Sequence, residues 1–296
     1  MPRKIFVFGG SSVARALTEQ PDKWEVYGLT RNPDSDAAKA IAALGVKLVK
    51  GDLDDPKSYA EGLKGSYGAF IVANFWLSYT PNGDGNAAAE IEYVHTIGAV
   101  DACVAAGVKH VIYSTLESFK PRVAIPHYDG KARVTAYMRE HGVPSTQLFT
   151  SYFFENLLST PWKEEGGRKI LQIPMTDDTP FPGFSAAETG LWVRAAFEDE
   201  SWIGKDMDTS TEDLTPGKIA QALAEVSGQK WETQHLSDET FLALEQQIDY
   251  EWWINFYALF KGEMKRDTPA SRKIAPSAMD LKQWLQTPEA KAYFKY

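Results

Sequence analysis

Short runs of β-branched and aromatic residues punctuate the first half of the chain, and between them apolar positions recur at helical spacing. Residues 4–8, 25–30, 47–50, 69–73, 108–114 and 146–149 predict six strands. Residues 12–19 open on hydroxyl side chains suited to a helix start, and 34–44 are rich in alanine. Residues 56–63 place a proline at a first helical position, and 87–106 carry a face of small residues. Strand and helix in alternation build a parallel sheet covered on both faces, so the pattern predicts a doubly wound α/β sheet. Ligands bind such sheets beyond the carboxyl ends of the strands, and function is expected there.

After about residue 156 the alternation stops. A strand at 169–173, a proline-rich turn at 177–183 and helices at 186–198 and 216–226 predict a smaller α+β lobe. The expected division is residues 1–156 for the sheet lobe and 157–296 for the smaller one. No glycine-serine tract or charge block separates them, which predicts one compact body of two lobes.

Composition narrows the function classes. A 44% hydrophobic and 24% charged chain is ordinary for a globular protein, and no run reaches the roughly 18 apolar residues of a membrane helix. Met1-Pro2-Arg3-Lys4 passes straight into the first strand, leaving no room for a signal peptide, so the expected location is the cytoplasm, with the nucleus as a second site. A net charge of -9 argues against direct nucleic-acid binding, which needs clustered Lys and Arg. The single cysteine, Cys103, reads as a small apolar residue on a helix, and no ligand cluster for a metal is visible.

Candidate chemistry lies just after the predicted strands. Gly9-Gly10-Ser11-Ser12 joins the first strand to the first helix, where free backbone N–H groups can meet a pyrophosphate. Two adjacent glycines also make an ordinary tight turn. Arg31, at the end of the second strand, stands where an NAD site carries an acidic residue, and its guanidinium suits a 2′-phosphate. Asp52 after the third strand either accepts from an adenine amino group or caps a helix. Asn74-Phe75 after the fourth either flanks a nicotinamide ribose or, for Phe75, packs in the core.

Six segments together resemble the NmrA-like family, an atypical branch of the short-chain dehydrogenases. They are Ser12-Val13-Ala14-Arg15-Ala16-Leu17, Thr30-Arg31-Asn32-Pro33, Gly51-Asp52-Leu53-Asp54-Asp55, Phe70-Ile71-Val72-Ala73-Asn74-Phe75-Trp76, His127-Tyr128-Asp129-Gly130-Lys131 and Ser151-Tyr152-Phe153-Phe154-Glu155-Asn156. The resemblance runs over nearly the whole chain. It implies a Rossmann-type lobe that binds NADP(H), frequently without turnover, and that acts as a redox sensor by regulating a protein partner. The fungal namesake represses nitrogen metabolism and binds a GATA-type transcription factor. A protein partner of that kind, transcriptional regulation and a homodimer are therefore expected here. The implied cofactor contacts are Gly9, Gly10, Ser11, Ser12, Arg31, Asp52, Leu53, Asn74, Phe75, Lys131, Tyr152 and Asn156. The segment from Tyr152 to Asn156 either closes over a ligand or anchors the smaller lobe, and packing is the safer reading.

Two departures from the family pattern bear on function. The family's glycine loop has the form G-A-T-G-x-x-G, and here about five residues of it are absent. The expectation is weakened NADPH affinity with the fold intact, Ser11 or Ser12 capping the first helix. Short-chain dehydrogenases also place a Tyr four residues before a Lys, so that both share one helix face. Here Tyr128 precedes Lys131 by three residues, and His127 holds the position four before. The catalytic candidates are therefore Lys131, His127 and Ser114, and the pattern leans toward a non-catalytic regulator. The alternative is an NADPH-dependent reductase of a small carbonyl or quinone, with His127 as proton source. The aromatic run 250–257 reads as a buried helix of the smaller lobe or as a partner surface.

Overall fold

In the first strand, Arg3–Phe8 (β1), the four residues from Ile5 to Phe8 are all buried, as befits a strand covered on both faces. A computed structural model describing residues 1–296 continues the alternation. After β1 come Ser11–Thr18 (α1), Trp24–Thr30 (β2), Asp36–Ala42 (α2), Lys47–Lys50 (β3) and Pro56–Leu63 (α3). Then follow Gly68–Ile71 (β4), Gly85–Ala105 (α4), His110–Thr115 (β5), Pro126–Glu140 (α5), Ser145–Phe149 (β6) and, after an excursion, Thr189–Glu198 (α6). The sheet order is β6-β5-β4-β1-β2-β3, and all five pairings among these six strands are parallel. This is the doubly wound Rossmann order, with its switch point between β1 and β4. A seventh strand, Asp206–Asp208, adds beside β6. At three mostly polar residues it carries no strand pattern, which is why only six strands were legible. Helix α5 is equally unmarked, since its buried face includes His127, Asp129 and Thr135.

The chain divides into two compact units, and it does not do so at a single point near residue 156. Met1–Lys120, Pro126–Thr150 and Ala187–Met207 make the first unit. The return of 187–207 follows from α6 packing on α1. A Cβ on Gly190 would lie 2.3 Å from the Ser12 carbonyl oxygen, so only glycine allows this approach. Arg194 then reaches the Ala16 carbonyl at 3.1 Å.

The second unit, built from Pro121–Ile125, Ser151–Ala186 and Asp208–Tyr296, holds two three-stranded sheets and short helices. The Tyr250–Phe260 helix buries Trp253 and Ile254, while Tyr250 and Trp252 stay about half exposed. No helix in the chain is long and apolar enough to cross a membrane.

His110 on β5 is fully buried and shows how the sheet meets pH. Thr146 spends its hydroxyl proton on the Trp202 carbonyl (2.8 Å), so the His110 ring must donate from Nε2 to Thr146 Oγ1 (2.7 Å). Nδ1 is left buried with no partner. Burial pushes the imidazole down from 6.5 to about 4, against a smaller opposing effect of Glu200. The unfolded chain therefore takes up this proton near pH 6.5 while the folded chain resists it until about pH 4. The stabilisation is complete above pH 6.5 and is lost as pH falls toward 4, by up to about 3 kcal/mol. Urea unfolding at pH 7 and pH 4.5 is expected to show a smaller pH-dependent loss for His110→Gln than for the parent. Equal losses would clear His110 of this role.

Candidate functional site

The carboxyl ends of the central strands bring the candidate residues together by register. Phe8 of β1 pairs with Ile71 of β4, and a Cβ on Gly9 would meet Val72 at 3.2 Å. On the other side Thr30 of β2 pairs with Lys50 of β3, and the Gly51 amide donates to the Thr30 carbonyl at 3.0 Å. Arg31 and Asp52 thus leave adjacent strand ends.

Gly9 (φ 110°) and Gly10 (φ 82°) are both in backbone regions that L side chains avoid, which carries β1 into α1 without a connecting loop. Gly10 is the cap residue of α1, and no side chain caps the helix. The expectation that Ser11 or Ser12 caps it is corrected: both lie inside the first turn, because the two-glycine turn starts the helix one residue early. The Val13 and Ala14 amides bond to the Gly10 carbonyl, so the Ser11 and Ser12 amides stay available at the positive end of the helix.

Arg31 is exposed and its guanidinium has no partner. The preceding turn is fixed without it, by Asn32 accepting from the Asp34 amide and donating to Thr30 Oγ1. Asp52 is half-buried, its amide held by Ser58 Oγ at 3.0 Å and its carboxylate unpartnered. It is not a helix cap, because Asp55 performs that task for α3 by accepting from Lys57. Leu53 packs against the apolar core beneath β3.

Asn74 is exposed, and its side chain caps the 3-10 turn Phe75–Leu77 by accepting from the Trp76 amide at 3.1 Å. Phe75 is buried and stacks on Tyr79 with ring centres 5.2 Å apart, so core packing is its role. His127 joins this cluster, 5.2 Å from Phe75 and 5.4 Å from Trp76, and is itself buried. It faces the aromatic cluster and not solvent. Tyr128 is buried between Phe119 and His127. Ser114 is buried on β5, one residue before its end.

Lys131 is the best-connected member of the group. Its ammonium donates to Glu92 Oε1 at 2.7 Å and to the Ala73 carbonyl, two residues past the end of β4, at 3.1 Å. Glu92 is buried and Lys131 is partly buried, with side-chain exposures of 2% and 12%. A polar ladder sets α5 behind it. The Thr115 and Thr135 hydroxyls meet at 2.9 Å, Thr135 donates to Gln147 Oε1, and the Gln147 amide donates to Ser145. Asp129, bonded by Ser118 and Lys120, pins the first turn of α5.

Glu92 was not singled out by sequence. One signal was present, since it lies on the same helical face as Ala88, Ala89, Thr96 and Ala99, all buried, and a charge on such a face needs a partner. Tyr152 and Asn156 belong to the second unit. Tyr152 packs its ring 4.9 Å from Phe181, and Asn156 is exposed, its carbonyl accepting from Ser159 and Thr160. Cys103 is buried in the core, where burial raises its thiol to about 12.

The chain is similar in sequence and in fold to known proteins. An NmrA-like family domain-containing oxidoreductase of Malbranchea aurantiaca is 31% identical over 254 residues, 77% of this chain and 74% of the relative. The crystal structure of NmrA, a negative transcriptional regulator, in complex with NADP superposes with a TM-score of 0.73 at 19% identity, covering 99% of this chain and 95% of that one. The same regulator has been solved with NAD. Triphenylmethane reductase of Citrobacter sp. complexed with NADP(H) superposes at 0.69 with 19% identity over 98% and 99% of the two chains. These likenesses show a common fold, and nicotinamide cofactors occur among its bearers. The family model for NmrA-like proteins matches residues 1–293, nearly the entire chain, and with the sheet order above it establishes that this protein belongs to the NmrA-like family.

Proposed function

We propose that the protein is a non-catalytic regulator that senses NADP(H) and acts through a protein partner. The observation that carries this reading is the state of the residues around Lys131. The position four before it, where the family's enzymes of the dehydrogenase class need a phenol, holds His127, locked in an aromatic cluster. The Lys131 ammonium is engaged by Glu92 and Ala73, so it serves as a fixed positive donor.

The residues at the strand ends fit a phosphorylated dinucleotide in part. Arg31, exposed and unpaired, suits a 2′-phosphate, and the Asp52 carboxylate suits the adenine amino group. Lys131 suits a ribose hydroxyl. For a pyrophosphate, the Ser11 and Ser12 amides at the start of α1 would be the donors left. Bound NADP(H) would supply hydride chemistry, and this chain's contribution is to bind and to report the bound state. By likeness to the family namesake, the partner is a GATA-type transcription factor.

The second reading, an NADPH-dependent reductase of a small carbonyl or quinone, is favoured by His127 standing four residues from Lys131 on α5. Steady NADPH oxidation across a panel of carbonyls and quinones separates the two. The expected result is no turnover above background, and sustained turnover that is lost in His127→Phe would overturn the regulatory reading. The cofactor preference has its own test. Arg31→Ala is expected to weaken NADPH by about tenfold or more and NADH by less than about threefold, because only the former has a phosphate to lose. Equal losses in parallel titrations would remove Arg31 from that role.

A further inference from the structure

We propose that Glu92 is a positioning residue, which fixes the Lys131 ammonium just past the end of β4 with one N–H left to donate to a ligand hydroxyl. This rests on the reading that a nicotinamide dinucleotide lies over those strand ends. Glu92 is 2% exposed, and only one of its carboxylate oxygens is bonded. Oε2 has no partner, and neither has the buried hydroxyl of Tyr113 on β5. A buried carboxylate with an unsatisfied oxygen costs stability, and an apolar pair of equal volume usually serves a core better. The pair is therefore poorly explained as a stabilising device. What it does provide is a positive charge at one place.

A lysine on a four-carbon stem otherwise samples many rotamers, and the loss of that freedom is deducted from ligand affinity. Here it is lost before a ligand arrives. Glu92 is itself held: the Thr96 hydroxyl donates to its carbonyl at 2.7 Å, and α4 lies close on α5, where a Cβ on Gly130 would come within 3.2 Å of Ala89. With Oε1 and the Ala73 carbonyl accepting two N–H bonds of the ammonium, the third remains.

The test uses the full chain, with NADPH titrated to millimolar concentration against protein fluorescence and thermal unfolding followed in parallel. Two variants suffice, Glu92→Gln and the charge-free pair Glu92→Gln with Lys131→Met. Glu92→Gln is expected to raise the NADPH Kd by about tenfold or more, and the double variant by no more than about threefold beyond that, since a displaced ammonium is already lost to the ligand. If Glu92→Gln fails to fold, Glu92→Asp takes its place, keeping the charge but withdrawing it by one methylene, with the same expected loss. A lowered Tm with unchanged Kd in Glu92→Gln would overturn the proposal and leave a merely structural residue. So would a double variant about tenfold weaker than Glu92→Gln, in which case Lys131 acts unaided and the dinucleotide reading stands. A double variant that binds as the parent does would remove Lys131 from the ligand, and the dinucleotide reading would fall with the proposal. Absence of NADPH binding by the parent would do the same.

Discussion

A chain lengthened by about five residues after Gly9 is expected to bind NADPH at least about a hundredfold more tightly than the chain as it stands. A pyrophosphate is met by several backbone N–H groups at once, contributed by the turn between strand and helix. Here that turn is Gly9 and Gly10 alone, both with positive φ, and α1 begins at Ser11. No side chain occupies the start of the helix, so the Ser11 and Ser12 amides remain, but the Val13 and Ala14 amides are already bonded to the Gly10 carbonyl. The longer loop would restore two or three charge-assisted hydrogen bonds at roughly 1.5 to 3 kcal/mol each. The sheet would not change, because β1 is set by its pairing with β2 and β4. Isothermal titration of the two chains side by side decides the matter, and micromolar or tighter binding by the shorter one would sink this account of the loop.

Removing Lys131 is expected to cost about 3 to 5 kcal/mol of stability, visible in guanidinium unfolding at neutral pH. A place at a ribose alone would predict no such loss. The ion pair adds one, since Lys131→Ala strands the Glu92 carboxylate at 2% exposure without a counter-ion. Replacing both residues by neutral ones of similar volume is expected to recover most of the loss. A change under about 1 kcal/mol in Lys131→Ala would mean that water reaches Glu92 and relieves it.

The fold was legible where backbone preference and burial agree. β1, β2 and β4 are runs whose side chains are mostly apolar, and such runs announce themselves without partners. Pro56 and Asp55, a first helical proline behind a capping carboxylate, mark α3 in the same way. The site was less legible because its roles depend on which side chains meet across elements. Arg31 and Asp52 could be placed from their positions after strands. Glu92 and His127 could not, as a glutamate on a long helix and a histidine beside a proline read as solvated until α4, α5 and the turn after β4 are brought together. Asp206–Asp208 joins the sheet only because β6 offers it an edge.

The close seating of α6 on α1 bears on how the molecule is made. Residues about 178 apart in the chain, Ala16 and Arg194, meet in the first unit, and Phe197 lies against Trp24 and His110 with ring centres 6.1 and 5.3 Å away. A nascent chain therefore emerges with its six sheet strands complete while one face of α1 and the buried His110 still lack their cover. Closure waits until residue 198 has left the ribosome. During that interval Ala16, buried in the finished protein and close under Gly190, lacks its cover. A closure this distant in the chain is slow by topology.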